Sequence, residues 1–217
     1  MGEGLAVLLL VLLVGGLAGG EVLARLLPRW GYRRGATIMR ALMFGLLVVY
    51  GGVLLAVSLT SREIVLNHGV PKRFCGFYLD CHMAAAVESV DRTPAIGGVR
   101  ATGTYYVVNV RVSSDARRAT LWMGDPDIFA VDAGGTRYRR DAAAEREMEQ
   151  LARDSGTFSR PVVAGGSFTK PVVFDIPTGA TNLRMMVTDA RGVDRVLEAL
   201  LIGDEDSLLH RPVTFRL

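Results

Sequence analysis

Two apolar runs, Leu5 to Gly20 and Ala41 to Leu59, lie close together near the start of this chain, separated by an arginine-rich connector. An α-helix rises about 1.5 Å per residue and a bilayer's hydrocarbon core is roughly 30 Å thick, so each run with its flanks is long enough to cross. The pattern predicts a two-helix transmembrane hairpin over residues 1–60, with spans at about 4–27 and 37–60, followed by one water-soluble domain over 61–217.

The connector carries Arg25, Arg29, Arg33 and Arg34, with Arg40 just inside the second span, whereas only Glu3 and the amino terminus precede Leu5. Cytoplasmic loops are enriched in arginine and lysine, which places the connector in the cytoplasm; in a Gram-negative cell the other side of the inner membrane is the periplasm. Two crossings then put the N-terminus and the C-terminal domain on the periplasmic side. Trp30 and Tyr32 suit the headgroup layer, and Arg40 can snorkel back to it. The rival reading takes the first run as a cleaved signal peptide ending near Ala18, Gly19 and Gly20. The missing positive n-region and Glu21 directly after the glycines count against it, and Glu21 with Arg25 forms a favourable i, i+4 pair.

Small residues recur within the runs: Gly15 with Gly19, Gly16 with Gly20, Ala41 with Gly45, and Gly52 with Ala56. Such pairs let helix backbones approach closely, packing the two spans together or against a neighbouring subunit. Tyr50 lies within the second run, where lipid offers its hydroxyl no partner, so a backbone carbonyl of the hairpin or a group on a partner must accept. His68, His82 and His210 are the only histidines and all fall outside the runs, which argues against haem ligation there. No carboxylate or lysine interrupts either apolar core, so a transport path is not expected.

From about Ser61 the composition shifts to short runs rich in valine, threonine and aromatics, punctuated by glycine and proline, the pattern of an all-β domain. The clearest strand is Thr104 to Val112, where Tyr106, Val108, Val110 and Val112 alternate with Tyr105, Val107, Asn109 and Arg111. Further strands are expected at His82 to Val90, Ala119 to Met123, Ile128 to Val131, Ser167 to Asp175, Asn182 to Thr188, Arg195 to Ile202 and Val213 to Leu217. That number of short strands indicates a sandwich. One helix is inserted at Asp141 to Arg153, with Asp141 as N-cap and Ala144, Met148 and Leu151 at helical spacing. About 155 residues suit a single core. The net charge of +3 comes partly from the connector and does not argue for nucleic acid.

The run Phe74 to Cys81 (FCGFYLDC), the segment Phe174 to Val187 (FDIPTGATNLRMMV) and the ending Leu201 to Leu217 (LIGDEDSLLHRPVTFRL) resemble the membrane-tethered, immunoglobulin-like extracytoplasmic domains of bacteria. Members of that family open the domain with a paired-cysteine segment and carry a Phe-x-x-Pro strand near its end. The resemblance covers most of Arg73 to Leu217 and implies an immunoglobulin-like sandwich with binding or structural work rather than catalysis. The double span and the inserted helix depart from its simpler members.

Cys75 and Cys81 are the only cysteines, and outside the cytoplasm a disulfide is their first reading. The alternative uses Cys75, Cys81, His82 and Met83 as soft metal ligands; covalent haem needs Cys-x-x-Cys-His, which five intervening residues spoil. Asp204, Glu205 and Asp206 form an acidic cluster without the ligand spacing of an EF-hand, read as a solvated loop able to meet a basic partner surface. The paired glycines at 97–98, 134–135 and 165–166 mark turns. No Gly-x-Ser-x-Gly elbow occurs, and neither a cofactor nor an enzymatic activity is expected.

Two function classes follow. The leading expectation is a non-catalytic, membrane-anchored accessory subunit whose periplasmic sandwich braces or bridges subunits of a larger membrane complex, an electron-transfer or light-harvesting assembly being one host. The alternative is a free-standing envelope sensor or ligand- or metal-binding module. Membrane lipid and other membrane subunits are the expected partners.

Overall fold

A computed structural model describes residues 3–74, 81–124, 126–152, 157–188, 193–204 and 207–217. The chain runs through α1 (Glu3–Leu26), a 3-10 turn (Leu27–Trp30) and α2 (Arg33–Thr60) into strands β1 (Ile64–Leu66), β2 (Lys72–Phe74), β3 (Met83–Ile96), β4 (Val99–Ser114), β5 (Asp127–Val131) and β6 (Arg137–Arg139). Helix α3 (Ala142–Ala152), β7 (Ser167–Ile176), β8 (Arg184–Thr188), α4 (Val193–Leu200) and β9 (Val213–Arg216) complete it. Two compact units result: residues through Arg62 with Val196–Arg211, and Glu63–Arg195 with Pro212–Leu217.

In the first unit α1 and α2 are each long and apolar enough to cross a membrane, and only 11% of either apolar window is buried. A core helix of a soluble protein would hide most of such a window. The reversal is made by Pro28 early in the 3-10 turn and by Gly31, whose φ of 86° is the left-handed conformation that ends a helical turn. Arg25 donates to Glu21 at 2.7 Å, and Arg40 lies 3.9 Å from the same carboxylate. Residues 196–211 pack along the C-terminal half of α2. The Tyr50 hydroxyl donates to the Leu200 carbonyl at 2.7 Å, Ser58 and Ser207 share a hydrogen bond at 3.2 Å, and the Arg211 N–H donates to the Ser61 hydroxyl at 2.8 Å.

This placement corrects two expectations. Arg195 to Ile202 is not a strand; Val193, Val196, Leu197 and Leu200 recur at i, i+3, i+4 and i+7, the period of one helix face, and the segment holds α4. Tyr50 donates not to a carbonyl of the hairpin but to that of Leu200, 150 residues away in the chain.

The second unit is a β-sandwich. One sheet has the order β1-β9-β8-β5-β6 and the other β2-β3-β4-β7. Tyr106, Val108, Val110 and Val112 of β4 face Ile128 and Ala130 of β5, Met185 and Val187 of β8 and Phe215 of β9 across one apolar core, as the alternation along β4 requires. Lys72 is buried there, its ammonium donating to the Val187 carbonyl of the opposite sheet at 3.1 Å. β3 and β4 form a long hairpin around Gly97 and Gly98, with Gly97 at φ 54°. The outer face of β4 and β7 carries Tyr105, Val107 and Val173, which α3 covers with Ala144 and Met148. Ala119 to Met123 does not extend into a strand: only Leu121 bridges Val162, and Pro126 then offers no N–H for a ladder.

Candidate functional site

Three places on the sandwich gather polar chemistry. The first lies at the mouth of the cysteine segment. Antiparallel pairing of Phe74 with Met83 brings the end of β2 beside the start of β3, and Asp115 follows β4 on the next strand. The Asp115 carboxylate accepts from Arg73 Nη1 at 2.5 Å and pairs with His82 Nδ1 at 2.5 Å. The Arg73 hydrogen bond, then that of His82, holds the Asp115 carboxyl below the usual carboxylate range. Met83 is buried in the core while the neighbouring His82 is half-exposed, so strand alternation separates the thioether from the imidazole. Cys75 lies outside the described residues, and its pairing with Cys81 lies there with it. Among the described residues no three His, Cys, Asp or Glu side chains converge as a metal site.

The second is the groove beneath α3, lined by Val107, Asn109, Met148, Phe168 and Lys170. Asp141 caps the helix, its carboxylate accepting from the N–H groups of Ala143 at 2.9 Å and Ala144 at 3.0 Å. Glu145 binds Arg140 through both oxygens, at 2.8 and 2.6 Å, and accepts the Val173 N–H at 3.1 Å. Lys170 is buried and paired with Glu149 at 2.7 Å. The run Ser167-Phe168-Thr169-Lys170 matches a Ser-x-x-Lys pattern. On a strand a spacing of three puts Ser167 and Lys170 on opposite faces, so they do not form a nucleophile with its base.

The third is a cavity of about 530 Å³ at one end of the sandwich, lined by Arg92, Tyr106, Asn182, Arg184, Arg216 and neighbours. Arg184 and Arg216 are directly opposed in the β8–β9 register, an unfavourable cross-strand pair. Glu63 binds Arg184, and Arg92 lies over the Tyr106 ring at 4.7 Å. No local sequence signal unites these arginines; only the fold does.

The helix-packing residues divide. A Cβ at Gly16 would stand 3.9 Å from Leu46, and one at Gly20 2.7 Å from the Met43 sulfur, so these two glycines receive α2 side chains. Gly15, Gly19, Gly45 and Gly52 have nothing within 4 Å of a Cβ, and Ala41 and Ala56 are exposed. Ala41, Gly45, Gly52 and Ala56 therefore do not pack against α1; at Gly16 and Gly20 the hairpin joins bulky α2 side chains to small α1 positions. Asp204 follows α4 in a turn, its N–H donating to Leu201 at 3.4 Å. Glu205 and Asp206 lie outside the described residues.

No known family pattern matches the chain, and a search of curated proteins finds no match. Solved structures similar to it include MPT63, a secreted protein from Mycobacterium tuberculosis (16% identity, 62% of this chain and 95% of that one, TM-score 0.41). The yjhA protein from Bacillus subtilis is similar at 12% identity, over 70% and 98% of the two chains, with a TM-score of 0.42. An uncharacterized β-sandwich protein from Clostridium difficile 630 is similar at 9% identity, over 73% and 97%, with a TM-score of 0.39.

Proposed function

We propose that this chain is a non-catalytic, membrane-anchored accessory subunit of a bacterial inner membrane. Its hairpin crosses the bilayer with the arginine connector in the cytoplasm, and its immunoglobulin-like sandwich braces or bridges other subunits on the periplasmic side. The observation that carries this reading is the unused small-residue surface of the hairpin. Gly16 and Gly20 are spent inside it, yet Gly15, Gly19, Gly45 and Gly52 face open space. Glycine in a helix costs about 1 kcal/mol relative to alanine. Lipid does not require that cost, whereas close approach of another helix does.

Supporting the immunoglobulin-like assignment, β3, β4 and β7 share one sheet while β5, β8 and β9 share the other, with β6 beside β5 as an extra strand. A disulfide between Cys75 and Cys81 belongs to the same reading of an extracytoplasmic domain. An electron-transfer or light-harvesting assembly is one host it allows. Purification in a mild detergent followed by mass spectrometry is expected to yield defined membrane subunits with the chain, and Gly19→Leu combined with Gly52→Leu to release them. Migration of the wild-type chain alone would overturn the proposal. A second reading, an envelope module that binds an anionic ligand, is favoured by the opposed Arg184 and Arg216 in their cavity.

A further inference from the structure

One segment remote in sequence from α1 and α2 packs along α2. Within residues 196–211 Leu200 meets Tyr50, Gly203 lies against Val57, Ser207 meets Ser58 and Arg211 meets Ser61, while the Leu208 N–H donates back to the Ala199 carbonyl at 3.0 Å. Tyr50 precedes the end of α2 at Thr60 by ten residues, about 15 Å along the helix axis. Its hydroxyl donates to the Leu200 carbonyl, so the end of α4 lies within a phenol's reach of the interior of α2.

The first part of the segment, VLEALLI from Val196 to Ile202, has one charge, Glu198, and that side chain is buried. Leu201 and Ile202 are also buried, while Val196, Leu200, Leu208 and Leu209 are 59%, 41%, 52% and 61% exposed. Asp204 follows Gly203, which lies against Val57, and Arg211 meets Ser61 beyond Ser58. Leu209 has φ 62°, a conformation in which a solvated turn would place glycine or asparagine. A bulky apolar side chain is held there and left uncovered.

We infer that residues 196–204 and 207–209 sit in the outer leaflet, at the boundary of headgroups and acyl chains beside the second span, with Val196, Leu200, Leu208 and Leu209 facing lipid. The inference rests on the reading of α2 as membrane-spanning. It explains Tyr50: at that depth no water serves the carbonyl that ends α4, and the phenol does. An amphipathic helix whose apolar face meets lipid is the usual form of such a contact. Here it is supplied by a segment remote in sequence from the spans.

The test uses the full chain in nanodiscs of equimolar phosphatidylcholine and phosphatidylglycerol, spin-labelled at Val196→Cys, Leu208→Cys, Val53→Cys or Arg118→Cys. The unsubstituted chain, labelled in parallel, sets the background. Collision with oxygen is expected to exceed collision with a water-soluble nickel chelate severalfold at Val53, Val196 and Leu208, with the reverse at Arg118. Water-like behaviour at both Val196 and Leu208 with a lipid-like Val53 overturns the inference and leaves the span standing. Protection from both reagents at 196 and 208 means a protein neighbour covers the segment, which also overturns it. A water-exposed Val53 removes the span, and the inference with it.

Discussion

Asp115 takes a hydrogen bond from Arg73 and another from His82, and both depress its proton affinity in the folded state. A carboxyl whose folded pKa lies below its unfolded value binds fewer protons when folded, so its stabilisation is complete above the unfolded value, about 4. That stabilisation is lost as pH falls through the lowered folded value. Asp132 behaves alike, its carboxylate held down first by the Tyr138 hydroxyl and then by the Thr136 N–H. Thermal unfolding of the full chain in detergent should therefore separate wild type from Asp115→Asn most widely at neutral pH. The gap should close on acidification; a constant gap would mean that the pair contributes no proton linkage.

Among the elements, α3 is held by Glu145 more than by its N-cap. Both Glu145 oxygens are committed to Arg140, and one also takes the buried Val173 N–H. Removing one partner from a largely buried pair costs about 3 to 5 kcal/mol, whereas losing an N-cap costs about 1. Glu145→Ala should thus lower the unfolding midpoint far more than Asp141→Ala, and equal effects would refute the ranking. The cap and the spacing of α3 were readable in the sequence, as were β4, β5 and β7, because their signals are local. β1 and β2 were not, since three residues carry no period and pair only through register with β9 and β3. Val196 and Leu200 were misassigned to a strand although their spacing is helical. The arginine cavity and the Arg73–Asp115–His82 cluster join residues far apart in the chain, which periodicity cannot reveal.

For the whole molecule, the arginine connector and the sandwich are expected on opposite sides of the membrane. A membrane-impermeant maleimide should label Tyr32→Cys in inverted vesicles but not in spheroplasts, and Arg118→Cys in spheroplasts; the opposite pattern would reverse the topology. The two units interleave in sequence, since Val196–Arg211 groups with the hairpin while β8 and β9 on either side belong to the sandwich. Within its sheet β9 stands between β1 and β8, with Ile64 paired to Val213 across nearly the whole soluble sequence. Contacts of such long separation close late. Because β9 follows the other described strands in sequence, a chain still being made holds β1 unpaired and the flank of β8 open at once. Both are edges on which strands of other chains can add. The growing protein therefore passes through an interval of adhesiveness that ends only when four residues, Val213 to Arg216, slide between two waiting strands.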